Sequence, residues 1–303
     1  MRFSRGSATI LALLITGVVI TVGIGFNWMV KEHLKAAEGM KRKSEAMVKA
    51  VSTYNTLMYG ILSGITTPAE IVFNTSNDLL GVKSIPLNSA GVTVNDDAEI
   101  KIQDSNGMIS LASPNLLALQ RLFRNASPAE DNSAIIIDSY LDWISTGSQV
   151  RINGAKAAYY KAQGKPYTAR NRPMQYKEEL SFVRGMDQEL YKKISPYVTL
   201  LPNSGFNPNT ACDAVLSAYL GIAEDAVLNL KTYMSQKPVS SNSGLYSIVQ
   251  RTVGGEGVDF IPSQFWDITI SVGKPDPVYS LKAGIDKRWN ATYPYSVIYW
   301  EKG

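Results

Sequence analysis

The sequence contains little of the chemistry from which catalytic and metal sites are usually built. Among its 303 residues there is one cysteine, Cys212, and one histidine, His33. A single cysteine excludes an internal disulfide, and a Cys/His nucleophile pair is not expected because the two residues are far apart in the sequence. We expect Cys212 to be a buried thiol. The sequence also has no G-x-S-x-G motif, Walker loop or metal-spaced histidine set, so it gives no positive support for an enzyme.

Charge is missing from one long stretch near the start. No charged side chain occurs from Ser7 to Val30. A helix over these residues would be about 36 Å long, enough to cross a hydrocarbon core of about 30 Å. Basic residues lie on both sides of the stretch, so they do not fix its orientation. Seen alone, the stretch fits a plain signal anchor. The net charge of +4 is spread along the chain and makes no case for nucleic acid.

The uncharged stretch continues into an amphipathic pattern that has no proline before Pro68. Apolar residues recur there at spacings of three and four, with lysine, arginine and glutamate on the remaining faces. This pattern predicts one long helix, apolar all round at first and one-sided later. The one-sided apolar positions are Leu34, Ala37, Met40, Met47, Val51, Tyr54, Met58 and Ile61.

Alternating, β-like segments lie on both sides of a long helical block. Ala98, Ile100 and Ile102 alternate with polar residues, residues 104–107 predict a turn, and residues 108–111 are expected to return as the second strand of a hairpin. Another strand is predicted over 70–73, followed by a loop-rich segment to residue 95. Three further antiparallel strands are predicted within 267–272, 279–285 and 295–300, and the sheet is expected to lie against the long helix.

The block between the two β-like parts has helical periods. Helices are predicted at 116–123, 134–144, 155–163, 176–183, 188–194, 210–220 and 224–234, with Ser113 or Asn115, Asp131 and Thr210 as caps. Residues 180–194 repeat at 216–230, with a constant offset of 36, and each copy is typical of a helix-hairpin-helix unit. The hairpins carry Asp187, Glu189, Glu224 and Asp225, which would repel phosphate, so we expect these units to pack against protein.

The beginning of the chain resembles the N-terminus of type IV pilins and of the pseudopilins of type II secretion systems. In those proteins prepilin peptidase cuts a short basic leader after a glycine. The resemblance makes Gly6 the last leader residue and Ser7 the first mature one. Most members carry a glutamate at mature position five, where this chain has Leu11. Among pseudopilins, the K-type minor subunit characteristically lacks this glutamate.

Further segments extend the resemblance to the K-type minor pseudopilin over nearly the whole chain. They are YLDWI at 140–144, residues 171–186 ending in EELSFVRGM, PYVTLLP at 196–202, NPNTA at 207–211 and the closing strands that end at 297–300. The resemblance implies an α+β fold in which a pilin-like long N-terminal helix packs on an antiparallel sheet, interrupted by an all-α insertion with helix-hairpin-helix (SAM-like) units. The expected parts are a leader (1–6), a transmembrane part (7–30), a pilin-like domain (31–111 and 263–303) and an inserted helical domain (112–262).

The resemblance also implies a role and a location. It implies a non-enzymatic, single-pass inner-membrane protein with a cytoplasmic N-terminus and a periplasmic head, which starts pseudopilus assembly at the tip and limits growth. The implied partners are the I-type and J-type minor pseudopilins, other pseudopilins, prepilin peptidase and inner-membrane lipid, and not nucleic acid. Two alternatives stay open: a minor pilin that initiates a type IV pilus, and a signal-anchored periplasmic helix-hairpin-helix protein that acts on DNA.

The resemblance also implies an acidic run after the tryptophan of the LDW motif, which the family often has, and calcium in the inserted domain, which known members bind there. Here residues 144–148, which follow Trp143, contain no carboxylate. Calcium takes six to eight oxygen ligands, so we assign no metal site, although Asp138 and Asp142 could contribute to one with distant partners. Asp104, Asn106 and Gly107 loosely match the opening of an EF-hand loop, but the glutamate near position 12 is missing, which favours a plain turn.

Overall fold

The computed structural model describes residues 5–74, 80–95, 97–129, 131–250, 257–289 and 292–303. The helices are α1 (Arg5–Ser63), α2 (Leu116–Ala126), α3 (Ser133–Ile144), α4 (Ala157–Ala162), α5 (Gln188–Ile194), α6 (Asp213–Leu220), α7 (Glu224–Met234) and α8 (Asn242–Val249). The strands are β1 (Ile65–Thr66), β2 (Glu70–Val72), β3 (Ser84–Pro86), β4 (Val92–Val94), β5 (Ala98–Asp104), β6 (Ile109–Ser110), β7 (Val198–Thr199), β8 (Phe265–Val272), β9 (Tyr279–Asp286) and β10 (Ser296–Lys302).

Helix α1 is the predicted long helix, unbroken over 59 residues and therefore about 88 Å long. Every described side chain from Ala8 to Glu45 is exposed, and burial begins at Ala46. Leu34 and Met40, which the sequence pattern places on the one-sided apolar face, are 57% and 74% exposed. The first part of the one-sided apolar face is therefore uncovered, because the sheet meets α1 only from Ala46 onward.

A five-stranded antiparallel sheet carries the C-terminal half of α1. Its strand order is β10-β9-β8-β5-β4, and the register pairs Ile100 with Ile270 and Ile268 with Ala283. Side chains alternate across the strands, so one face of the sheet packs against α1. The core between helix and sheet includes Ala50, Leu57, Ile71, Ile85, Ile100, Ile102, Trp266, Ile268, Ile270, Leu281 and Ile285. The predicted α+β fold is confirmed, including the three C-terminal strands.

The predicted hairpin between residues 98–103 and 108–111 was wrong. Strand β5 pairs with β4 and β8, whereas β6 pairs in parallel with β7, almost 90 residues later in the chain. Between β5 and β6 the chain makes a 3-10 turn, Ser105–Gly107, that is buried. A Cβ atom at Gly107 would lie 2.3 Å from the carbonyl oxygen of Thr210. The turn is therefore held against a distant segment and does not reverse the chain within the sheet.

Helices α2 to α8 form the helical region, which has a second core of its own. That core includes Leu119, Phe123, Ile136, Tyr140, Leu180, Ile194, Phe206, Leu216, Leu230 and Leu245. Most predicted helices are present, and Asn115 caps α2 by accepting a hydrogen bond from the amide of Ala118. Residues 177–182 form a 3-10 helix, and α8 was not predicted. Thr210 is not the cap of α6, because Cys212 stands at that position. The expected domain boundaries at residues 112 and 262 stay a prediction.

Candidate assembly surface

The largest uncovered apolar surface is the N-terminal half of α1. Its large hydrophobic side chains are exposed, from 36% at Val30 to 77% at Leu13. Within the described residues, α1 is the one helix that is long and apolar enough to cross a membrane, and none of its most apolar window is buried against the rest of the chain. Exposed apolar area on this scale is stable only in contact with lipid or with other apolar surfaces.

The residues singled out by the sequence lie at the start of this surface. Gly6 and Ser7 belong to the first turns of α1, and only their helical backbone is described. Residues 1–4 of the expected leader lie outside the described residues. Leu11 is 60% exposed. A Cβ atom at Gly17 or Gly23 would meet nothing within 4 Å, so a neighbouring helix can approach α1 closely there.

A buried carboxylate joins the sheet to the helical region. Asp104, the last residue of β5, is fully buried. One carboxylate oxygen accepts hydrogen bonds from the amides of Asn106 (3.2 Å) and Ser263 (2.8 Å), and the other accepts one from the Thr210 hydroxyl (2.9 Å). Desolvation raises the pKa of Asp104 above its ordinary value, although these hydrogen bonds oppose the shift. The sequence pattern predicted Asp104 as part of a turn or as a loose EF-hand match. In the structure its carboxylate joins the end of β5 to the segments around Thr210 and Ser263.

A second carboxylate ties the far side of the sheet to the helical region. Asp267 in β8 accepts hydrogen bonds from the Tyr299 hydroxyl in β10 and from the Thr199 hydroxyl in β7, the latter at 3.4 Å. Burial raises the pKa of Asp267, and the positive charge of Lys177 lowers it by less. Sequence reasoning missed this residue because it sits at a polar position of an alternating strand, where exposed residues are usual.

Both hairpins of the repeat contact protein. Gly185 and Gly221 have positive φ angles of 88° and 63°, a backbone conformation that glycine adopts without strain. A Cβ atom at Gly185 would lie 3.0 Å from Ile136 in α3, and one at Gly221 would lie 2.8 Å from the guanidinium of Arg121. Arg121 also donates to two carbonyl groups near the end of α6. The turns through which such units elsewhere contact phosphate are here packed on neighbouring helices.

The prediction that Cys212 is a buried thiol was wrong, because the residue is exposed. It stands at the N-cap of α6, directly after the buried segment 206–211.

Comparison with known proteins gives concordant results. Residues 93–203 match the family model described as "Type II secretion system (T2SS), protein K". The match shows similarity to this family over a little more than a third of the chain.

Individual curated relatives are similar to part of the chain. The chain is 31% identical over 121 residues to "Type II secretion system protein K" from Pectobacterium carotovorum subsp. carotovorum, an alignment that covers 39% of this chain and 37% of the relative. It is 37% identical over 76 residues to the protein of the same name from Aeromonas hydrophila, which covers 24% and 23%. These alignments span less than two fifths of each curated relative.

One solved structure has a similar fold. It is "The Crystal Structure of the GspK-GspI-GspJ complex from enterotoxigenic Escherichia coli Type 2 Secretion System", with a TM-score of 0.54 and 16% identity. The match covers 90% of this chain and 99% of the solved one. At this identity the likeness concerns the fold alone, and it supports the pilin-like arrangement of long helix and sheet.

The calcium that the protein K resemblance implies can be tested against Asp138 and Asp142. Asp142 is fully buried: one oxygen accepts a hydrogen bond from the Arg151 guanidinium (2.6 Å), and the other accepts one from the Arg151 amide (3.1 Å). A Cβ atom at Gly154 would clash with the Asp142 carboxylate, so that side is closed as well. Asp138 accepts two hydrogen bonds from Asn153, each at 3.1 Å.

These donors occupy both carboxylate oxygens of Asp142 and one of the two of Asp138. Within the ranges that the structure describes, no three histidine, cysteine, aspartate or glutamate side chains are grouped so that they could hold a metal ion. Calcium takes six to eight oxygens, several of them charged. Asp138 and Asp142 therefore do not fit a calcium site.

Proposed function

We propose that this protein is a member of the protein K family and a membrane-anchored minor pseudopilin at the tip of a type II secretion pseudopilus, where it starts assembly and limits growth. The observation that carries the proposal is the division of α1, whose first half is apolar and uncovered while its second half is fixed to the sheet. A helix of this kind serves both as a membrane anchor and as a contact for the helices of other subunits. The role is one of packing, without catalysis.

The position in the filament is argued from Leu11. In related subunits a glutamate at this position is expected to pair with the N-terminal amine of a neighbour. A carboxylate without a partner in lipid is costly, and the first subunit of a filament has no neighbour above it. Leucine at position 11, exposed on the uncovered half of α1, removes that cost and suits the tip.

On this proposal, the width of the head, which is the sheet together with the helical region, limits the growth of the filament. The helical region with its separate core is carried at the end of α1 together with the sheet. A subunit added above would have to place its own head in the same space. The partners would be I-type and J-type minor pseudopilins, as in the solved GspK-GspI-GspJ complex, along with other pseudopilins and inner-membrane lipid.

The proposed topology has a cytoplasmic N-terminus and a periplasmic head, and prepilin peptidase would cut between Gly6 and Ser7. N-terminal sequencing of the protein extracted from the membranes of a peptidase-competent host should then give a chain that starts at Ser7. A chain that starts at Met1 would contradict the processing step. The immobilised full-length protein should also retain detergent-solubilised I-type and J-type subunits. It should not shift the mobility of DNA at low salt.

The tip assignment is tested at Leu11. Replacing the natural subunit of a secreting strain with the Leu11→Glu variant should reduce secretion by about tenfold or more, because an unpaired carboxylate in the lipid costs more than about 1.4 kcal/mol. The Leu11→Met variant is the matched control and should secrete normally. Equal secretion by Leu11→Glu and Leu11→Met, at equal amounts of protein in the membrane, would refute the tip argument.

A further inference from the structure

The connection between α3 and α4, residues 145–156, is held by positively charged side chains. We call it the α3–α4 loop. It leaves α3 just after the tryptophan of the LDW motif and returns at the buried residue Lys156. Three cations contact it or its carboxylate partners: Arg151 and Lys156 from the loop itself, and Arg184 from the segment before α5.

Lys156 is bound as a metal cation would be. Its side chain is enclosed, with the residue only 8% exposed. The ammonium donates to the main-chain carbonyl oxygen of Ser145 (2.6 Å), to the Ser145 hydroxyl (3.1 Å) and to the side-chain oxygen of Asn171 (2.9 Å). An ammonium has three donors, and all three are used. Carbonyl, hydroxyl and amide oxygens are also the uncharged ligand types that hard cations take.

This ammonium stabilises three separate pieces of chain. Ser145 is the C-cap of α3, where the helix dipole favours a positive charge. Asn171, the other ligand, donates its amide to the carbonyl oxygen of Trp143 at 2.7 Å. Lys156 therefore fixes the end of the loop to the end of α3 and to the segment around Asn171.

The two arginines complete the arrangement. Arg151 neutralises the buried carboxylate of Asp142, and Arg184 donates to the carbonyl oxygens of Asn153 (3.4 Å) and Gly154 (3.1 Å). Three cations thus hold the loop, Arg151 through a carboxylate of α3, and Lys156 and Arg184 through uncharged oxygens. Because two positive charges about 4 Å apart repel strongly in a low-dielectric setting, a divalent ion would be disfavoured here.

We propose that Lys156 and Arg151 hold the α3–α4 loop in place of a bound metal ion. In relatives, calcium is expected to hold this loop. The helical region then keeps its fold without bound metal. This inference does not depend on the filament role, because it concerns the folding of the head alone.

The first test needs no mutation. Thermal unfolding of the full-length protein in detergent is followed by near-ultraviolet circular dichroism, which reports the packing of Trp143 edge-on to Tyr160. The midpoint should be the same in chelator, in buffer alone and in millimolar calcium chloride, and calorimetric titration with calcium should give no stoichiometric heat. A lower midpoint in chelator, or binding of calcium at one or more equivalents, would overturn the proposal.

The second test separates Lys156 from lysines in general. Lys156→Met removes the ammonium and leaves two oxygens of Ser145 and one of Asn171 without this donor, so the midpoint should fall by several degrees. Lys165→Met makes the same change at a nearby exposed side chain that enters none of these hydrogen bonds, and should leave the midpoint unchanged. Equal midpoints for the two variants would show that Lys156 does not hold the loop. If Lys156→Met does not fold, the comparison of wild type with and without chelator still decides the question.

Discussion

The two halves of α1 show that hydrophobicity and burial need not coincide along one helix. The first half, up to Val30, is the more apolar and is buried against nothing within the chain. The second half carries lysines, glutamates and serines, yet Ala50 and Leu57 are completely buried against the sheet. The difference teaches that the head is stabilised by the second half, whereas the first half must find its apolar partners in other molecules or in lipid.

This comparison can be broken by cutting back one leucine in each half. Leu57→Ala should lower the free energy of unfolding of the head by about 2–5 kcal/mol, because it leaves a cavity between α1 and the sheet. Leu14→Ala, at a side chain that is 61% exposed, should change the same free energy by less than about 0.5 kcal/mol. Urea titration of the detergent-solubilised protein, followed by near-ultraviolet circular dichroism, measures both. Similar losses for the two variants would mean that the first half also packs on the head.

Adding one methyl group provides a second comparison. Gly64 directly follows α1, and a Cβ atom there would lie 2.8 Å from the carbonyl oxygens of both Gly60 and Val72. Because backbone atoms give way only at a cost, Gly64→Ala should destabilise the head by about 1–3 kcal/mol. Gly17→Ala, where nothing lies within 4 Å, should not lower the stability in the same urea titration. An unchanged Gly64→Ala protein would show that the end of α1 is loosely held.

The smallest expected effect concerns the charged contact between α1 and the sheet. Lys49 donates to the Asp97 carboxylate and, at 3.2 Å, to the Asn95 carbonyl oxygen. Both ion-pair partners are more than a third exposed, so Lys49→Met should cost no more than about 1 kcal/mol, and the loss should shrink as salt is added. Lys43→Met, farther from the sheet on an exposed part of α1, is the control. A salt-independent loss at Lys49 would point to packing of its methylene groups instead.

The parts of the fold that were predicted from the sequence are those with a local period. Helix α1, strands β5 and β8, and helices α5 and α7 repeat at 3.6 or 2 residues, which short-range sterics and one-sided burial impose directly. The pairing of β6 with β7 could not be found in this way, since it joins segments almost 90 residues apart. Helix α8 was missed because its sequence, NSGLYSIV, contains a glycine and two serines, although Ser241 caps it and Leu245 and Val249 are buried.

The candidate site was predicted unevenly. The uncharged stretch and Leu11 were visible because lipid-length runs and single departures from a motif can be read directly. The burial of Asp142 and Lys156 and the partial burial of Asp267 were not visible, because these residue types are common on surfaces and only the tertiary structure desolvates them. Cys212 was misjudged for the opposite reason, since a residue type that is usually buried stands here at an exposed helix cap.

The junction at Asp104 has a consequence for how such heads vary. The chain leaves the sheet at Ser105 and comes back at Ser263, and the hydroxyl groups of these two serines are 2.9 Å apart. The inserted segment of about 160 residues thus leaves the sheet and rejoins it at the same point. Its length can therefore change without shifting β5 or β8, so the sheet and α1 can stay the same while the helical region varies.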